Sequence, residues 1–129
     1  MGATLLAGVR MLLVDDDERV RDALHDYFTE CGAIVVRAAS ARAGLHAFLQ
    51  APPDVLVSDL RMPREDGLWL IAAIRALPPE RGGLVPAIAV TGDVSVAADA
   101  LAAGFQAVHG KPARLSDLAM LVARLARPE

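Results

Sequence analysis

The chain is poor in several things at once. Its 129 residues hold one Cys, one Trp, one Tyr and three Phe. A single thiol excludes an internal disulfide, and because Cys31 falls on an apolar helical stripe it reads as core. No apolar run is long enough for a membrane span, and positions 1–10 lack the basic start and long apolar centre of a signal peptide, so a cytoplasmic location is expected. Excess positive charge is also missing: 13 Lys and Arg face 16 Asp and Glu, a net charge of -3 that offers no footprint for nucleic acid or an anionic membrane surface. There is no G-x-G-x-x-G, and the one Gly-Lys pair, Gly110-Lys111, runs into Pro112 without a phosphate-binding loop before it. His25, His46 and His109 show no metal-ligand spacing, and neither repeats, low-complexity tracts nor an interdomain linker is visible.

What the chain does have is apolar mass, 54% against 22% charged residues, which excludes intrinsic disorder and fits one domain over 1–129 with a core at about 9–126. Met11–Val14, Ala33–Val36, Val55–Val57, Ala87–Val90 and a shorter run near Ala107–His109 read as strands, the second of them buried. Helical spacing links Val20, Leu24, Tyr27, Phe28 and Cys31, with Gly32 as a stop. It recurs in Leu45, Phe48 and Leu49 behind a Ser40 cap, in Leu68, Ile71 and Ile74, and in Leu115, Leu118, Val122 and Leu125. An Ala-rich helix is expected from about Val94 to Ala103, ended by Gly104. Five strands alternating with five helices, most strands continuously apolar, imply an α/β fold with a doubly wound parallel sheet. In such sheets ligands sit outside the carboxyl ends of the strands.

The residues at those ends are Asp15, Asp16 and Asp17, then Asp59, Thr91 and Lys111. Asp17 can cap the following helix, but carboxylates gathered in one cleft repel unless a cation intervenes, and Mg²⁺ is the natural hard ion for oxygen ligands. Lys111 supplies a compact positive charge and Thr91 a hydroxyl, together able to hold the remaining oxygens of a phosphoryl group. Asp59 is then a nucleophile that needs no base, being ionised at neutral pH.

VDDD (Val14–Asp17), SDLRMPREDG (Ser58–Gly67), VTG (Val90–Gly92) and GKP (Gly110–Pro112) stand in the order of the receiver domain of two-component response regulators, which the chain resembles from about Val9 to Leu125. The resemblance implies a flavodoxin-like (βα)5 fold with strand order 2-1-3-4-5. It makes Asp59 the phosphoacceptor, Thr91 the switch hydroxyl and Lys111 the phosphate-binding lysine. Mg²⁺ is to be held by Asp15, Asp16, Asp59 and the carbonyl of Arg61, with Asp16 the direct ligand of the acidic pair. The implied partner is a histidine kinase or histidine phosphotransfer protein, and the implied state a monomer or weak dimer. Val108 stands where the family most often has an aromatic residue, and Ala113 where it often has Phe. In style the segments are closest to receivers of hybrid histidine kinases or to single-domain regulators, with no DNA-binding output in this chain.

Two other functions compete. A degenerate receiver that no longer takes phosphate is disfavoured by the complete set Asp15, Asp16, Asp59, Thr91 and Lys111. A phosphohydrolase of the haloacid dehalogenase type would use the D-x-D of Asp15 and Asp17, leaving Asp59 and the later motifs unexplained. By the receiver resemblance Arg61 and Asp93, two residues after Asp59 and Thr91, flank the mouth of the site, where their opposite charges are expected to pair. Arg19 and Arg21 read as a solvated helix face, and Trp69 and the Met residues as packing.

Overall fold

The computed structural model describes residues 2–126. Its strands are β1 (Arg10–Val14), β2 (Ile34–Ala38), β3 (Val55–Asp59), β4 (Ala87–Thr91) and β5 (Ala107–Gly110), all parallel, in the order β2-β1-β3-β4-β5. Around them run α1 (Gly2–Leu5), α2 (Glu18–Glu30), α3 (Ala41–Gln50), α4 (Gly67–Arg75), α5 (Ala97–Ala103) and α6 (Leu115–Ala126). The expected order 2-1-3-4-5 is the observed one.

The central strands β1, β3 and β4 are mostly apolar because both of their faces are covered. In β1, Leu12 and Val14 point to one layer with Phe48 of α3 and Leu70, Ile71 and Ile74 of α4; Met11 and Leu13 point to the other, with Leu24 and Phe28 of α2 and Leu118 and Val122 of α6. Each such fully buried side chain contributes about 1.5–3 kcal/mol of transfer free energy. The caps fall where the sequence placed them: Asp17 accepts from the N–H groups of Arg19 and Val20, and Ser40 accepts from that of Ala43.

Four details differ from the sequence expectations. The short helix α1 precedes the first strand and leads Leu6 into the core, where its N–H donates to the Cys31 carbonyl at 2.8 Å. β2 is not fully buried; it edges the sheet, so Ile34 and Val36 are half exposed, at 52% and 50%. The Ala-rich helix does not start at Val94: Val94–Val96 form a 3₁₀ turn under an Asp93 cap, and α5 begins at Ala97. Met11 and Met62 pack inside, but Met120 lies on the exposed face of α6. Trp69 packs against the α3/α4 layer under the Arg42 guanidinium, and Cys31 is buried as expected. Met1 falls outside the described residues.

Candidate phosphoacceptor site

The parallel register puts the strand ends side by side. Val14 pairs with Ser58, Asp59 with Val90 and Thr91 with Gly110, so Asp15, Asp59, Thr91 and Lys111 emerge along one edge of the sheet. Asp15, Asp59 and Thr91 are buried, Lys111 is partly so, and Asp16 is exposed at the rim. Carboxylate oxygens of Asp15, Asp16 and Asp59 lie within 4.8 Å of one another, the one group of three or more acidic, His or Cys side chains so placed among the described residues. Such hard oxygen donors, partly shielded and open on one side, fit a small divalent cation. Asp17 is not in that group; it is occupied in capping α2.

Lys111 is the only lysine in the chain. Its Nζ sits 3.1 Å from Asp15 Oδ2 and 3.2 Å from Asp59 Oδ2, bridging the two buried carboxylates. Burial pushes the Asp59 carboxyl above its ordinary range, Lys111 opposes this, and the neighbouring Asp15 adds to it. Burial acts to lower the Lys111 ammonium, but Asp15 and Asp59 outweigh it and hold the group above its usual value.

The Asp59 carboxylate is fixed by its own loop. Oδ1 accepts from the Leu60 N–H at 2.8 Å and more weakly from that of Arg61 at 3.4 Å. Ser58, fully buried, donates its hydroxyl to the Asp59 carbonyl at 2.8 Å. Gly67 closes the loop by donating its N–H to the Leu60 carbonyl at 2.9 Å; a Cβ there would collide with the Asp59 carbonyl oxygen and lie 2.9 Å from Leu60 Cα. Asp15 is held in the same way: Oδ1 accepts from the Asp17 N–H at 2.9 Å, and its carbonyl accepts from Arg21 Nη1 at 2.7 Å.

Arg21 is therefore not the solvated side chain the sequence suggested, and Ser58 and Gly67 gave no sign of their contacts. The Asp-Gly pair at Asp66-Gly67 after Pro63 marks a turn and helix start, but not which backbone the glycine must approach. Thr91 turns to the loop behind it, its Oγ1 accepting from the Asp93 N–H at 3.1 Å. Asp93 reaches Arg61 Nη2 at 2.8 Å, forming the expected pair across the mouth, and its carboxyl is held down by the Ser95 hydroxyl and N–H and by Arg61. His109 rests its Nδ1 against the Gly110 carbonyl at 3.2 Å, away from the acidic cluster's membership.

A five-stranded parallel sheet in this order, with acidic loops after β1 and β3 and a cation after β5, defines a flavodoxin-like receiver fold. The response regulator receiver domain profile matches residues 11–123, and the chain belongs to that family, the receiver domains of response regulators in two-component signalling. A solved response regulator receiver protein from Pseudomonas putida is 35% identical, with a TM-score of 0.79 and coverage of 90% of this chain and 96% of that one. The chemotaxis protein CheY4 of Vibrio cholerae is 25% identical, with a TM-score of 0.84, 92% of this chain and 99% of that one covered. Among curated relatives, a 14.6 kDa protein from Leptolyngbya boryana is 43% identical over 86 residues, 67% of this chain and 64% of its own length. The Regulator of RpoS of Escherichia coli K12 is 32% identical over 111 residues, 84% of this chain but only 32% of that protein. The chain thus spans about two thirds and one third of the lengths of these two relatives. Receiver domains bind Mg²⁺ at an acidic pocket and interact with histidine kinases or phosphotransfer proteins. No helix among the described residues is long and apolar enough to cross a membrane.

Proposed function

We propose that this receiver, one domain over 1–129 working in the cytoplasm, takes a phosphoryl group onto Asp59 from a phosphohistidine of a histidine kinase or histidine phosphotransfer protein. The observation that carries the reading is Lys111 Nζ lodged between Asp15 and Asp59 at 3.1 and 3.2 Å beside the three-carboxylate cluster. Asp15, Asp16, Asp59 and the Arg61 carbonyl would hold Mg²⁺, which when bound neutralises charge on the transferring phosphoryl oxygens.

The chain's own residues do the rest. The Asp59 carboxylate, aimed by the Leu60 N–H, attacks phosphorus; the P–N bond breaks and its electron pair stays on the donor's imidazole, which takes a proton from water. Lys111 moves its charge from the carboxylates to a phosphoryl oxygen. Thr91 gives up the Asp93 N–H and donates its hydroxyl to another oxygen, and the loop behind it follows. An apolar groove beside the site, lined by Val20, Ala23, Leu24, Ala113 and Leu115, gives the donor protein a surface to rest on. The domain catalyses only its own phosphorylation and dephosphorylation.

Beryllofluoride with Mg²⁺, a mimic of the aspartyl phosphate, tests the reading. Amide NMR shifts should change around Asp59, Thr91 and Lys111 in the native protein and not in Asp59→Asn. No shifts in either protein would overturn it.

A further inference from the structure

Arg75, in the last turn of α4, has an unusual set of partners for a half-buried guanidinium: all are uncharged oxygens. Nε and Nη2 both donate to the Gly104 carbonyl, at 3.0 and 2.7 Å. Nη1 donates to the Gly83 carbonyl at 2.9 Å, and Nη2 also reaches Gln106 Oε1 at 3.1 Å. Gln106 Oε1 in turn accepts the Ala87 N–H at 2.7 Å, tying the cluster to the start of β4. Charge-assisted bonds of this kind are stronger than neutral ones, and two of them converge on one carbonyl at the C-terminal end of α5. Gly104 is shaped for this contact. Its φ of +129° suits glycine, and a Cβ there would lie 2.9 Å from Arg75 Cγ.

The other end of α5 is held differently. The helix has seven residues and buries only Ala100, so its own packing is slight. No side chain caps it at Val96. The preceding 3₁₀ turn depends on Asp93, whose Oδ1 accepts from the Ser95 N–H and hydroxyl and whose Oδ2 accepts from Arg61 on the exposed rim. The Asp93 N–H donates to Thr91 Oγ1, the hydroxyl that the function proposed above sends elsewhere.

We propose that α5 is a lever with a fixed pivot and a releasable latch: Arg75 anchors its C-terminal end at Gly104, while Asp93 holds its N-terminal turn in a register set by Thr91. The direction of the switch rests on the Thr91 reading; the asymmetry of the two ends does not. When Thr91 leaves Asp93, the cap over Val94–Val96 loosens and the N-terminal turn swings. Arg75 stops the disturbance before Gly104, so the connection into β5 and Lys111 keeps its place. Arg75 is thus a positioning residue about which the moving surface is defined.

Native-state hydrogen exchange of the full chain, read by amide, tests this. Arg75→Met should speed exchange at Gly104, Phe105 and Gln106 by about tenfold or more, the scale of one lost charge-assisted hydrogen bond, and leave Ser95 and Val96 unchanged. Arg75→Lys, which keeps the charge but reaches fewer acceptors, should give a smaller effect at the same three amides and covers the case in which the Met variant does not fold. Asp93→Ala should do the reverse, releasing Ser95 and Val96 while Gly104–Gln106 stay protected. Equal loosening of both ends by either substitution would overturn the lever. With beryllofluoride and Mg²⁺, exchange changes should stop before Gly104; changes running through Gln106 would overturn the pivot. An absence of any change on adding beryllofluoride would count against the phosphoacceptor reading alone, with the two variants still deciding the lever.

Discussion

Removing the only lysine should cost the fold more than a surface charge would. In Lys111→Met the stem volume is nearly kept, so packing changes little and the loss is electrostatic. At 3.1 and 3.2 Å each ammonium–carboxylate attraction is worth about 5 kcal/mol at an effective dielectric of about 20, and desolvation of the ammonium cancels several kcal/mol of the sum. Breaking a fully buried pair costs about 3–5 kcal/mol; Lys111 keeps 23% of its side chain in solvent, so about 2–3 kcal/mol is expected in Mg²⁺-free buffer at pH 7. For a chain of this size that is a fall in Tm of roughly 10 °C. Two controls isolate the cause. In an Asp59→Asn background the same substitution should cost at least about 1 kcal/mol less, because one of the two carboxylates left facing each other is gone. Lowering the pH should also narrow the deficit. Asp59 has a raised folded pKa, so its ionised form destabilises the fold above that pKa, and the penalty fades as the pH falls through it and the carboxyl protonates. Urea melts of the four proteins at pH 7 and pH 5 read all of this. A Lys111→Met variant as stable as the native chain at pH 7, or a deficit unchanged by Asp59→Asn, would refute the reasoning.

Three further outcomes follow from the same geometry. Asp16→Ala should lose the Mg²⁺ response in a fluorescence or NMR titration while Asp17→Ala keeps it, since Asp16 joins the oxygen cluster and Asp17 caps α2; equal loss in both would contradict the division. Asp93→Ala removes the partner of Arg61 at the mouth and should speed dephosphorylation several-fold with phosphorylation largely intact; a slower decay, measured without kinase, would mean that the carboxylate orients the attacking water. Gly67→Ala forces a Cβ against the Asp59 and Leu60 backbone and should cost about 1–3 kcal/mol in a melt, with slower uptake of phosphate because the acceptor is displaced; an unchanged rate would show that the loop yields without moving Asp59.

The sheet was legible in the sequence because the central strands, covered on both faces, carry unbroken apolar runs before their polar ends, and the candidate site was legible because strand ends in a parallel sheet need no distance information to be placed together. The Arg61–Asp93 pair, 32 residues apart, was placed at the mouth by the family resemblance of the two positions, and their opposite charges then suggested the contact. The exposure of β2 does not follow from its residues, since Ile34 and Val36 look like an interior pair; it follows from the strand's place at the edge of the order 2-1-3-4-5, which leaves them half exposed. The start of the Ala-rich segment was misplaced because Asp93 satisfies the first N–H groups in a tight 3₁₀ turn, a choice made by a side chain rather than by periodicity. Arg21, Ser58 and Arg75 gave no sign because their partners are backbone carbonyls, with one side-chain amide oxygen added for Arg75, and carbonyls carry no sequence signature.

The central claim is that Asp59, and no other side chain, accepts a phosphoryl group with the help of a divalent cation. Intact-mass spectrometry after incubation with a small-molecule phosphodonor, with Mg²⁺ and with chelator, tests it most directly. The native chain should gain one phosphoryl mass only with Mg²⁺, peptide mapping should place it on Asp59, and Asp59→Asn should gain none. A mass gain mapped to Asp15 or Asp17, or one that persists in Asp59→Asn, would contradict the assignment.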